Sequence, residues 1–116
     1  MPDKDKDIMK IIEFLTPRGF TCYYYTRYPQ KDSYTVKCTS YEADIVLKTN
    51  PRYTSIEIKT PIDISLKLLS TRVRKRFPQY TVFVRKTPTF EVEIEEMKKE
   101  DLHTLIKEIA DIFEFD

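Results

Sequence analysis

The residues best suited to chemistry stand close together. Asp44 lies in Ala43-Asp44-Ile45-Val46-Leu47, and Glu57 and Lys59 lie in Thr54-Ser55-Ile56-Glu57-Ile58-Lys59-Thr60. Both stretches are apolar and β-branched and read as strands. Side chains alternate across a strand, so Glu57 and Lys59 share one face and Ile56 and Ile58 the other. Asn50-Pro51-Arg52 reads as a turn, and an antiparallel hairpin then brings Asp44 towards Glu57. Two neighbouring carboxylates repel unless a cation sits between them, and an all-oxygen donor set suits Mg²⁺ or Mn²⁺. Asp44 and Glu57 are the expected metal ligands, with the main-chain carbonyl of Ile58 as a third. Lys59 is the group that would orient a bound water or offset developing negative charge. The competing reading is a solvated strand face with a cross-strand ion pair.

The rest of the chain supplies elements to hold that hairpin. Residues 3 to 15 place Ile8, Ile11, Ile12 and Leu15 at helical spacing, which predicts an amphipathic helix stopped by Pro17 and Gly19. Phe20 to Tyr28 predicts a strand ended by Pro29, with Tyr23, Tyr24, Tyr25 and Tyr28 read as sheet core and edge ahead of base-stacking platforms. Gln30 to Ser33 is polar and turn-like. Tyr34 to Cys38 is strand-like again, and periodicity leaves open whether it runs on into Ala43 to Leu47 or is separated from it around Thr39 to Glu42. Thr60 reads as N-cap and Pro61 as first residue of a helix with Ile62, Leu66, Leu69, Val73 and Phe77 as its buried stripe. Tyr80 to Lys86 and Phe90 to Glu95 read as strands joined by Thr87-Pro88-Thr89. Leu102, Leu105, Ile106, Ile109 and Phe113 mark a closing helix. Glu91, Glu93 and Glu95 form a ladder that discourages edge-to-edge pairing. The expected order is α-β-β-β-α-β-β-α in one domain spanning residues 1–116: an α/β (α+β) fold with a mixed central β-sheet flanked by helices.

Composition sets the outer bounds. A chain of 116 residues can bury one modest core without staples, and 41% hydrophobic with 34% charged residues is the balance of a soluble globular protein. No apolar run approaches a membrane span and no signal segment opens the chain, so the expectation is a cytoplasmic protein with no membrane partner. Cys22 and Cys38 are not in a Cys-x-x-Cys arrangement and read as core or strand thiols rather than a disulfide. A single histidine, His103, argues against zinc. Charge is segregated along the chain. Residues 60 to 90 carry seven basic side chains (Lys67, Arg72, Arg74, Lys75, Arg76, Arg85, Lys86) against Asp63 alone, whereas residues 91 to 116 carry ten acids against three lysines. This predicts either a basic face for phosphates or two segments that neutralise each other. On the first reading Lys67, Arg72, Arg74, Lys75 and Arg76 are nucleic-acid contacts.

Asp44, twelve intervening residues and then Glu57-Ile58-Lys59 resemble the Asp…(Glu/Asp)-x-Lys signature of the restriction-endonuclease-like, or PD-(D/E)-x-K, nuclease superfamily. The stretch Ile11-Ile12-Glu13-Phe14-Leu15-Thr16-Pro17-Arg18-Gly19-Phe20 is similar to the first helix and glycine turn of archaeal Holliday-junction resolvases. The resemblance spans about residues 5 to 86. It implies an αβββαβ core, Mg²⁺-dependent hydrolysis of phosphodiester bonds in DNA by Asp44, Glu57 and Lys59, a supplementary acid at Glu13, and a homodimer as a possible assembly. The alternative is a non-catalytic α+β module that binds nucleic acid or protein.

Overall fold

Helix α1 (Lys6–Leu15) turns Ile8, Ile11 and Leu15 inwards and is followed by a short 3₁₀ turn, Thr16–Arg18. Gly19 ends that turn at φ 93°, a left-handed conformation costly for any residue with a Cβ, and its N–H donates to the Thr16 carbonyl at 3.2 Å. The expected stop at Pro17 and Gly19 is therefore where the chain turns. The computed structural model describes residues 6–25, 33–41, 43–50, 52–60, 63–85 and 90–113.

Strands β1 (Thr21–Tyr25), β2 (Tyr34–Thr39), β3 (Asp44–Thr49) and β4 (Tyr53–Thr60) follow, then helix α2 (Asp63–Arg76), strands β5 (Val82–Arg85) and β6 (Phe90–Lys98), and helix α3 (Lys99–Phe113). They build an α+β fold with one six-stranded sheet, ordered β1-β2-β3-β4-β6-β5. Two expectations are corrected. The stretches on either side of Ser40 are separate strands of a tight hairpin, so four strands precede α2 rather than three. The sheet is antiparallel throughout rather than mixed. β4 and β5 do run in the same direction, but β6 returns between them and converts a would-be parallel pair into two antiparallel ones. The same insertion corrects the reading of the Glu91/Glu93/Glu95 ladder, since β6 is an interior strand.

The described helices lie on one face of the sheet. Burial alternates strictly along β3 and β4: Ile45, Leu47, Ile56 and Ile58 are sealed, whereas their neighbours are not. Those residues join Val92 and Ile94 of β6, Leu69 and Val73 of α2, Phe77 just after it, Leu102, Leu105, Ile106 and Ile109 of α3, and Ile8, Ile11 and Leu15 of α1 in one core. Burying such side chains contributes about 1.5–3 kcal/mol each. The other sheet face has no helix against it among the described residues.

Local chemistry fixes the hairpin that carries Asp44, Glu57 and Lys59. The Asn50 side-chain carbonyl accepts the N–H groups of Arg52 and Tyr53 at 2.8 Å each, and the Asn50 N–H donates to the Tyr53 carbonyl at 3.0 Å. Behind this turn the buried hydroxyls of Thr49 and Thr54 meet at 3.0 Å. On the far side of β4, Ser55 faces both Glu95 and Glu96 in a β-bulge, with Glu96 at φ 51° and its N–H on the Ser55 hydroxyl at 3.2 Å. The extra residue lets Ile94 and Met97 both point into the core.

The cysteines depart from expectation. Cys22 and Cys38 stand directly opposite each other on β1 and β2, their Cα atoms 4.0 Å apart, and are joined by a disulfide. Strand register put them together, and sequence spacing alone does not give register. The expected Pro61 helix start with Ile62, the Pro29 stop, the Gln30 to Asp32 turn and the Thr87-Pro88-Thr89 turn lie outside the described residues; Thr60 is the last residue of β4.

Candidate functional site on the open sheet face

Register lines up the outward side chains in rows across the sheet. One row reads Thr21, Thr39, Asp44, Lys59, Glu91, Arg85 from β1 to β5. The next reads Tyr23, Lys37, Val46, Glu57, Glu93, Phe83. Asp44, Glu57 and Lys59 thus share one face on adjacent strands, as the hairpin predicted. Asp44 faces Lys59 rather than Glu57, and the two acids are diagonal neighbours, a relationship that spans about 7–8 Å between Cα atoms.

The charges interlock. The Lys59 ammonium lies 3.1 Å from Glu57 Oε1, and Arg85 reaches Glu91 and Glu93 at 3.6 Å each. Partial burial pushes the Glu57 carboxyl up, but the hydrogen bond and charge of Lys59 outweigh it and hold Glu57 below the usual carboxylate range. The bond to Glu57 in turn raises Lys59 above the usual lysine range. Glu91 moves the other way: burial first, then the negative charge of Glu57 and a hydrogen bond to it, push Glu91 up. The two carboxyls thus move apart in pKa, Glu57 downwards and Glu91 upwards.

Sequence reasoning missed Glu91, Glu93 and Arg85 as neighbours of this patch. One carboxylate oxygen from each of Glu57, Glu91 and Glu93 lies within 4.8 Å of the others. The alternation of Glu91 and Glu93 was visible in the sequence; the insertion of β6 beside β4 was not.

Other expected participants lie elsewhere. Helix α2 is in the layer behind the sheet, so Lys67, Arg72, Arg74, Lys75 and Arg76 are on the far side from Asp44 and Glu57. Arg72 donates to Glu108 at 3.4 Å and to Asp111 at 3.0 Å, Arg76 donates to Glu108, and Arg74 reaches the Val82 carbonyl at 3.5 Å. The basic and acidic segments therefore pair in part through α2 and α3. Glu13 is exposed on α1, in the same helix layer, and takes no part in the patch. The Ile58 carbonyl belongs to an interior strand and points along the plane of the sheet, which removes it from the ligand set.

The donor set on the open face is all carboxylate oxygen, which suits a hard divalent cation that keeps several waters. Among the described residues no helix is long and apolar enough to cross a membrane. No protein-family model, curated protein or solved structure matches the chain.

Proposed function

We propose that the open sheet face is the working surface and that the protein is a metal-dependent, nuclease-like hydrolase of phosphodiester bonds in DNA. The single observation that supports this is the register of the β3–β4 hairpin, which puts Asp44, Glu57 and Lys59 on one face of adjacent strands. Asp44 and Glu57 would hold Mg²⁺ or Mn²⁺, with Glu91 and Glu93 beside Glu57 to complete or tune the set. Such a cation, when bound, polarises a phosphate and acidifies a coordinated water. Lys59, released from Glu57 as the carboxylate turns to the cation, would hold the attacking water or a phosphate oxygen. Phosphate contacts fall to Lys37 and Lys48 on the same face, in place of the α2 residues: Lys48 is close enough to act electrostatically on Glu57.

A second reading has its own support. Lys59 is paired with Glu57, and Arg72 and Arg76 are paired with α3 acids, the pattern expected of a non-catalytic α+β module whose charges stabilise the fold. Cleavage of single- and double-stranded DNA with Mg²⁺, Mn²⁺ or EDTA separates the two. The hydrolase reading expects metal-dependent cleavage lost in Asp44→Ala and Lys59→Ala; cleavage that survives both, or none with either metal, overturns it.

A further inference from the structure

The open face carries both signs, but its cations differ in whether they are paired. Lys59 and Arg85 are taken up by Glu57, Glu91 and Glu93, whereas among the described residues Lys37 on β2 and Lys48 on β3 make no ion pair. Exposed aromatic rings stand on this face at Tyr53 of β4 and Phe83 of β5 as well as near Lys37. Tyr23 faces Lys37 across β1 and β2 and is 45% exposed. Tyr41, in the β2–β3 connection three residues before Asp44, is 103% exposed, and among the described residues no contact explains it. The backbone beneath it is fastened: the Ser40 N–H and hydroxyl both donate to the Ala43 carbonyl, at 2.9 and 3.0 Å, and the Ala43 N–H donates to the Ser40 hydroxyl at 3.1 Å.

We infer that the β1–β3 half of the open face binds a single-stranded segment of nucleic acid and leads it to Asp44, Glu57 and Lys59. Lysines that follow a backbone, interleaved with aromatic rings that accept base faces, form the recognition chemistry of unpaired strands. Duplex DNA hides its base faces in the stack, where these rings cannot reach them. With Lys59 and Arg85 occupied by Glu57, Glu91 and Glu93, Lys37 and Lys48 are the lysines of this face left to phosphates. The destination of the strand rests on the hydrolase reading; the binding does not.

Fluorescence anisotropy with a labelled single-stranded oligodeoxynucleotide, against a duplex of the same sequence, tests this in EDTA. Single-strand binding is expected to be the tighter, to weaken about fivefold or more in Tyr23→Ala and in Tyr41→Ala, and to survive Tyr23→Phe and Tyr41→Phe. Lys37→Glu should weaken it and flatten its salt dependence, whereas Arg74→Ala with Lys75→Ala should leave it unchanged. Equal or tighter duplex binding, indifference to both alanine variants, or dependence on Arg74 and Lys75 overturns the inference. Single-strand binding without metal-dependent cleavage overturns only the hydrolase reading; cleavage indifferent to Tyr23 and Tyr41 overturns only this one.

Discussion

Lys59 stands across from Asp44 on the neighbouring strand, yet its ammonium goes to Glu57, two residues back on its own strand, at 3.1 Å. The lysine thereby serves as the counter-ion that lets Glu57 stay ionised beside Glu91 and Glu93. Lys59→Ala should raise the Glu57 pKa, read by carboxyl NMR titration. Because the Lys59 side chain is 45% exposed, the stability cost should stay below about 1 kcal/mol. An unchanged Glu57 titration would show that the pair does not form in solution.

Glu57 and Glu91 give stability opposite slopes with pH. Glu57 is lowered, so its contribution is present above the usual carboxylate pKa and is lost as pH falls through its lowered value. Glu91 is raised, so the folded protein binds more protons than the unfolded chain just above the usual value, and stability declines as pH rises through that window. Glu91→Gln should remove the second slope and keep the first in thermal melts across the acid range. A decline that persists in Glu91→Gln would assign it to another group.

The Cys22–Cys38 disulfide closes a loop with a sequence separation of 16, for which chain entropy gives about 3 kcal/mol of stability. Reduction, or Cys22→Ser, should lower unfolding free energy by roughly that amount in urea titrations. A loss of only a few tenths of a kcal/mol would mean that the β1–β2 ladder alone constrains this hairpin.

Thr49 and Thr54 share a hydrogen bond 3.0 Å long, with both side chains buried. Thr54→Val alone should cost about 0.5–1.5 kcal/mol, since it leaves the Thr49 hydroxyl only its longer bond to the Asn50 carbonyl at 3.4 Å, and the double change to valine should cost less than the two single changes together. Strict additivity would show the two hydroxyls to be independent.

Glu108 bridges Arg72 and Arg76 from α3. Both arginines are more than a third exposed, so Glu108→Gln should cost no more than about 1 kcal/mol at low salt and little at high salt. A large, salt-insensitive loss in denaturant titrations would point to packing rather than charge.

Much of the frame was legible in local signals. Period-2 alternation in Thr54 to Lys59 put Glu57 and Lys59 on one face; helical spacing picked out Ile8, Leu69, Val73, Leu102 and Leu105, all buried. What stayed hidden was nonlocal. The partner of Cys22 depends on a register set across the 26–32 connection, and the neighbours of Glu57 depend on where a strand more than thirty residues later inserts. The role of Arg72 and Arg76 was equally nonlocal, because a basic stripe on α2 reads alike whether it meets phosphates or the acids of α3. Strand number failed at Ser40, because the sequence between β2 and β3 has no glycine or proline as a marker.

The place of β6 between β4 and β5 governs the order in which the molecule can assemble. As the chain emerges in synthesis, the four-strand meander can pair from local contacts, but β4 keeps one edge unsatisfied and β5 has no partner until residues 90–98 arrive. Sealing the core thus needs the last quarter of the chain, through contacts long-range in sequence, and until β6 docks β4 keeps an open edge of the kind that mispairs.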